Sequence, residues 1–208
     1  TKISVLENHI GQSGWLQVQK LTVQSFDQED FMLLACITNA GEVIEKEIAV
    51  AREGKPAHII IKANGLTERK MIKALYRASQ AGVKVDLIIR GVCCLRPGVP
   101  DISDNIRVIS IIGRFLEHTR VYVFENSDPQ IFCSSADWME RNLLHRVEVS
   151  FPITRQKHIK RIRSELDLYL NDNTQAWELN AAGKYNRRTP KKQPACKAQQ
   201  LLLEKLAK

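Results

Sequence analysis

Glycine-rich phosphate cradles are missing from this sequence: neither GxxxxGK[ST] nor GxGxxG occurs in it. Any chemistry on nucleotides must therefore grip phosphate in another way. Paired-cysteine motifs are missing too. The five cysteines, Cys36, Cys93, Cys94, Cys133 and Cys196, include no CxxC, and an odd count argues against a disulfide framework. Cys93 and Cys94 are chain neighbours, a poor geometry for two ligands of one zinc. Reduced, partly buried thiols in a cytosolic protein are expected. Long apolar runs are absent as well. The longest, such as residues 33–37, fall far short of the ~20 residues that cross a bilayer. Thr1 is followed by no basic-then-apolar leader, so no export signal and a cytoplasmic location are expected, with peripheral attachment to a membrane left open.

What is present is an ordinary globular balance, 44% hydrophobic and 26% charged over 208 residues, enough for one sizeable core with extensions. Net charge is +8 and unevenly spread. Residues 184–208 carry eight basic side chains against the single acid Glu204, leaving the rest of the chain nearly neutral. Such a segment attracts polyanions of any kind, or serves only as a solvated tail. Aromatics are scarce within it, Tyr185 alone, whereas single-stranded nucleic-acid binders interleave bases with aromatics. No specific nucleic-acid partner is expected.

Apolar periodicity places a helix over 42–52, with Val43, Ile44 and Ile48 on one face, and a short strand over 58–62. An amphipathic helix over 66–80 should turn Met71, Ile72, Leu75 and Tyr76 inward, and a β-branched strand follows over 83–89. Pro97, Gly98 and Pro100 mark a loop. Strands are then expected over 106–111, 118–124 and 131–134, with Val121 and Val123 on the face opposite Tyr122 and Phe124. A further alternating strand is expected over 145–151. Ile159, Ile162, Leu166 and Leu170 form the stripe of a long helix, and a short helix is expected over 198–207. The pattern is α/β, a mixed β-sheet flanked by helices. Three parts are expected: an N-terminal extension and connecting helix over 1–54, a catalytic domain over 55–183, and a basic tail with a short helix over 184–208.

One stretch gathers reactive side chains. His118 and Arg120 stand two apart, so in a strand they share a face. An imidazole beside a guanidinium suits a phosphorus centre: the first attacks or exchanges protons near neutral pH, and the second holds two phosphoryl oxygens in a fork. Glu125, Ser135 and Asp137 are candidates to orient that pair. Arg90 ends a strand just before Gly91, where open α/β sheets usually bind ligands. His9, His58, His145 and His158 have no partner pattern and are expected to be structural or superficial. Trp138 is expected in the core.

The order His118, Arg120, Glu125, then Ser134-Ser135-Ala136-Asp137, resembles the HxK(x)4D…GSxN signature of the phospholipase D superfamily. Arg120 stands where that signature has Lys, and Glu125 where it has Asp. Both departures are similar to the last domain of polyphosphate kinases. So are the blocks beginning at Lys62, Leu87, Ile102, Phe115, Ser134 and Asn180, in order, over roughly residues 42–208. The resemblance implies a phospholipase-D-like fold and reversible transfer of the terminal phosphate of ATP onto polyphosphate. It implies a phosphohistidine carried by a preceding domain, with His118 as the second catalytic histidine and Arg90 as a contact to the phosphates of ATP. Mg2+ is expected with ATP, though no acidic cluster stands out to hold it. ATP, ADP, polyphosphate, the preceding domains and a second copy of the protein are the implied partners, and the chain alone should be inactive. The alternatives are a phosphodiesterase or nuclease pairing two His118 residues in a dimer, and a non-enzymatic polyanion-binding module.

Overall fold

The apolar stretch His58–Ala63 is too short for a stable helix and rich in β-branched residues, and it forms β1 at the middle of an eight-stranded sheet. The computed structural model describes residues 36–146 and 148–207. Helix α1 (Cys36–Arg52) precedes β1, and α2 (Arg69–Gln80) crosses to β2 (Lys84–Ile89), followed by β3 (Ile106–Ile111). These three strands are parallel, paired in the order β1, β2, β3. On the other side of β1 lie β4 (Val121–Phe124), β5 (Ile131–Ser134) and β6 (Ser150–Pro152), all antiparallel. Between β5 and β6 runs α3 (Glu140–His145), and α4 (Gln156–Asn171) follows β6. Beyond β3 come β7 (Ala176–Leu179) and β8 (Tyr185–Arg187), both antiparallel to their neighbours, and α5 (Ala198–Leu206) closes the described chain. The mixed sheet flanked by helices is the one expected.

Alternation along β4 divides the core in two. Tyr122 and Phe124 join the layer with Ile44, Ile48, Met71 and Leu75 from α1 and α2. Val121 and Val123 join the opposite layer, with Leu166 and Leu170 from α4. A period of two sends successive side chains to opposite faces, so both layers are continuous across the sheet. Trp138 is 1% exposed and lies with its ring 5.5 Å from that of Tyr122, a core residue as expected. Below the sheet, the buried carboxylate of Glu47 on α1 accepts hydrogen bonds from the backbone N–H of Asn126 (2.5 Å) and its side-chain amide (2.8 Å). This fixes the β4–β5 turn against α1.

Several boundaries differ from the sequence expectation. Helix α2 starts at Arg69, not at residue 66, because the Glu68 carboxylate accepts from the N–H of Met71 and caps the first turn. The strand expected over 145–151 shrinks to β6. Its first residue is the end of α3, which was unforeseen, and its Val147 lies outside the described residues. Helix α3 closes on the segment entering β6, where Asn142 donates to the Glu148 carboxylate at 2.6 Å. Strands β7 and β8 were also unforeseen. The segment expected as a basic tail with a short helix supplies β8 as well as that helix, α5, which buries Ala198, Gln199 and Leu202. Residues 1–35, including His9 and most of the expected N-terminal extension, lie outside the described residues. Among the described residues, no helix is long and apolar enough to cross a membrane.

Candidate active site

Strand direction assembles the site. Because β4 runs antiparallel to β1 with Lys62 opposite Val121, the residues entering β4 meet the residues leaving β1. Strand β2 is parallel to β1, so Arg90 leaves the sheet at that same end. His118 and Arg120 do not sit within a strand, as the sequence suggested; both precede β4 in the segment leading into it. That segment is nevertheless tied to Arg90 at Glu117. The Arg90 guanidinium donates through Nη1 to the backbone carbonyl of Glu117 at 3.1 Å, and Arg120 donates through Nη1 to the carbonyl of His118 at 3.3 Å. The His118 side chain is exposed, and no described residue hydrogen-bonds its imidazole.

Beneath His118 lies a buried charge cluster. Lys62, 3% exposed, places Nζ 2.8 Å from Oε2 of Glu117, itself 8% exposed, and 4.9 Å from the centre of the Tyr169 ring. Burial draws the Lys62 ammonium below its ordinary range, and the Glu117 carboxylate counters this only in part. Burial raises the Tyr169 phenol, and the charge of Glu117, to which that phenol is hydrogen-bonded, raises it further. Gln199 of α5 donates to Oε1 of Glu117 at 2.7 Å. A buried carboxylate so fully engaged is a fixed point, and Glu117 is the residue that carries His118.

A second cluster holds Arg120. Its Nε and Nη2 donate to the two oxygens of Asp137 at 3.0 and 3.1 Å, a bidentate fork. Asp137 also accepts from the backbone N–H of Asn64 at 2.7 Å. Burial pushes the Asp137 carboxyl up, but Arg120 and the backbone N–H groups of Asn64 and Gly65 outweigh it and hold the group below the usual range. Asp137 therefore ties Arg120 to the end of β1.

Two other expected members stand apart. Glu125 leaves β4 at its far end, where its N–H donates to the carbonyl of His58, and its carboxylate accepts from Arg163 at 2.8 Å. Four strand residues separate it from Arg120, so it orients neither His118 nor Arg120. Ser135 donates to Glu148 and accepts from the N–H of Val149 at 3.0 Å; it ties β5 to the segment entering β6. Arg90 makes no ion pair with Asp86, Asp101 or Asp104 near the sheet edge. Asp86 is engaged by His58, Arg107 and Lys84.

With this geometry in place, comparison with known proteins is informative. A family model described as "Polyphosphate kinase C-terminal domain 2" matches residues 35–199. The chain belongs to the polyphosphate kinase family. It is 51% identical over 200 residues to a polyphosphate kinase of Pseudomonas aeruginosa, covering 95% of this chain and 28% of that protein. A Xylella fastidiosa polyphosphate kinase is 57% identical over 166 residues, covering 78% of this chain and 24% of that one. The crystal structure of polyphosphate kinase from Porphyromonas gingivalis superposes with a TM-score of 0.78 at 36% identity, over 82% of this chain and 26% of that one. The chain thus spans about a quarter of the length of the curated relatives it matches.

Within the family frame, the residues that sequence reasoning passed over are Lys62, Glu117, Tyr169 and Gln199. One signal was available. Lys62 is a charge inside an otherwise apolar strand, and a charge there demands a buried partner. Gln199, 82 residues from Glu117, gave none. A resident Mg2+ does not fit the carboxylates of this site. Glu117 is committed to Lys62 and Asp137 to Arg120. Among the described residues, no group of three or more His, Cys, Asp or Glu side chains is arranged to hold a metal.

Proposed function

We propose that this chain is the C-terminal catalytic part of a polyphosphate kinase, transferring the terminal phosphate of ATP reversibly to polyphosphate. The observation that carries the reading is the Arg90–Glu117 hydrogen bond, which holds a guanidinium against the backbone of the residue before an exposed, unengaged His118. The other nitrogens of Arg90 bond no described residue, so the rest of the fork is available to phosphoryl oxygens.

In this reading, an imidazole nitrogen of a preceding domain attacks the γ-phosphorus of ATP. A P–N bond forms and the bond to the β-γ bridging oxygen breaks, releasing ADP. A terminal polyphosphate oxygen then attacks phosphorus, forming P–O and breaking P–N. The transferring group spreads negative charge over three oxygens, and fixed cations stabilise it most when they need not reorganise. Arg90 supplies that charge, and His118 hydrogen-bonds the group and exchanges its proton. Arg120, occupied by Asp137, acts by holding the segment rather than by gripping phosphate. ATP enters as its Mg2+ complex, and no step here runs through the metal. Self-association belongs to the same reading.

The test exchanges the matching quarter of the Pseudomonas aeruginosa relative for this chain and follows ATP-dependent phosphate incorporation into acid-insoluble polymer. The chimera should be active, the isolated chain inactive, and His118→Ala in the chimera should abolish synthesis while leaving its melting temperature unchanged. Retained synthesis rejects the role of His118. Phosphodiester hydrolysis by the chain alone would instead favour a dimeric phosphodiesterase.

A further inference from the structure

Helix α5 reaches the segment that carries His118 through one side chain. Gln199, 5% exposed, accepts from the N–H of Phe115 through Oε1 at 3.0 Å and donates through Nε2 to the carbonyl of Phe115 at 2.8 Å. The same Nε2 donates to Oε1 of Glu117 at 2.7 Å. Both backbone groups of Phe115 are thus read as a neighbouring strand would read them, although Phe115 lies outside any strand. A Cβ placed on Gly113 would overlap the side-chain ends of Gln199 and Gln175, so this segment lies directly against the Gln199 amide. The helix itself is anchored from outside the segment. The N–H of Ala198 donates to the buried Asp172 at 2.8 Å, and that same carboxylate turns the chain into β7 by accepting from Thr174, Gln175 and Ala176.

From this geometry we infer that Gln199 is a positioning residue for His118, the one side chain through which α5 reaches the site. The chain of contact is short. Gln199 fixes Phe115 and the Glu117 carboxylate, Arg90 fixes the Glu117 carbonyl, and His118 follows directly. Losing the amide removes both hydrogen bonds to the backbone of Phe115 in a segment whose Phe115 and Leu116 are exposed. The inference rests on the assignment of His118 above.

Its test separates the two. In the active chimera, Gln199→Ala should lower kcat about tenfold, since small misplacements at a reacting centre are costly. Gln199→Glu keeps the shape but sets a carboxyl against Glu117 and removes the donor. The charged or titratable groups around that pair are Lys62 on β1, Arg90 after β2, and Tyr169 and Glu165 on α4. Two facing carboxyls raise the pKa of one of them, and a proton between them restores the donor. The kcat of Gln199→Glu relative to the unsubstituted chimera should therefore rise several-fold from about pH 8.5 to about pH 6, while that of Gln199→Ala stays flat. Leu202→Ala, on the same helix and buried, is the control for loss of packing. It should melt earlier with kcat within about twofold. Hydrogen exchange on the chain itself reads the link without activity: residues 113–118 should exchange faster in Gln199→Ala and not in Leu202→Ala. If His118→Ala is inactive while both Gln199 variants keep full kcat, or lose it equally at every pH, the positioning role is rejected and the kinase reading stands. If His118→Ala is active, the kinase reading falls; unchanged exchange over 113–118 rejects the positioning role on its own.

Discussion

Asp86 shows how a charged residue is tolerated inside a strand. It is 1% exposed, yet it receives His58 at 2.9 Å, Arg107 at 2.7 Å and Lys84 at 3.4 Å. Burial alone would raise its carboxyl, but the hydrogen bonds from His58 and Arg107 and the charges of Arg107 and Lys84 hold it well below the usual range. The sign for stability follows. The unfolded chain takes up this proton near pH ~4, so the contribution is complete above that pH and is lost as pH falls toward the depressed folded value. Asp86→Asn should cost about 2–3 kcal/mol at neutral pH. That is less than the ~3–5 of a fully buried pair, because Arg107 and His58 keep partial access to water. Urea unfolding should show the gap to the parent narrowing as pH drops below about 4.

Helix α4 joins the core behind the sheet to the charged cluster at the site. Leu166 and Leu170 fill the layer behind the sheet, and Tyr169, on the same helix, abuts Lys62 and Glu117. Leu166, 2% exposed, should lose about 2–4 kcal/mol on replacement by Ala, the transfer term plus the cavity left behind. Chemical denaturation would show this as a lower midpoint at unchanged slope. The helix itself was legible, since its apolar stripe repeats at helical spacing. Strands β7 and β8 were not. Ala176–Leu179 and Tyr185–Arg187 are three or four residues long, and β8 is exposed throughout. Such segments carry no period of their own and become strands only because the edge of β3 offers β7 a partner and β7 in turn offers one to β8.

At the scale of the whole molecule, the basic C-terminal stretch is structural as well as charged. Arg188 donates to Glu178 at 2.8 Å and to the carbonyl of Leu170 at 2.9 Å, and Arg187 donates to the carbonyl of Thr174. Strand β8 completes the sheet, and α5 packs on α4. Removing residues 184–208 should therefore not leave the rest of the sheet and α4 intact. The truncated chain should melt at least ~10 °C lower, or fail to unfold cooperatively, on a scale where 1 kcal/mol moves a domain of this size by a few degrees. A melting temperature unchanged by truncation would return the segment to the status of a tail.

By itself, the sequence determined the order of the central elements, the two faces of β4, the burial of Trp138 and the position of Arg90 just past the end of a strand. Each follows from local period, from residue type or from a short motif. Only the tertiary structure decided which charges meet. Glu125 faces Arg163 rather than Arg120, Glu117 shares its carboxylate among Lys62, Tyr169 and Gln199, and a helix in the basic segment reaches the residue before His118. The physical reason is that periodicity reports which face a side chain takes, whereas a buried hydrogen bond depends on where the chain returns. That return is set by sheet order and helix packing, which no spacing along the chain encodes.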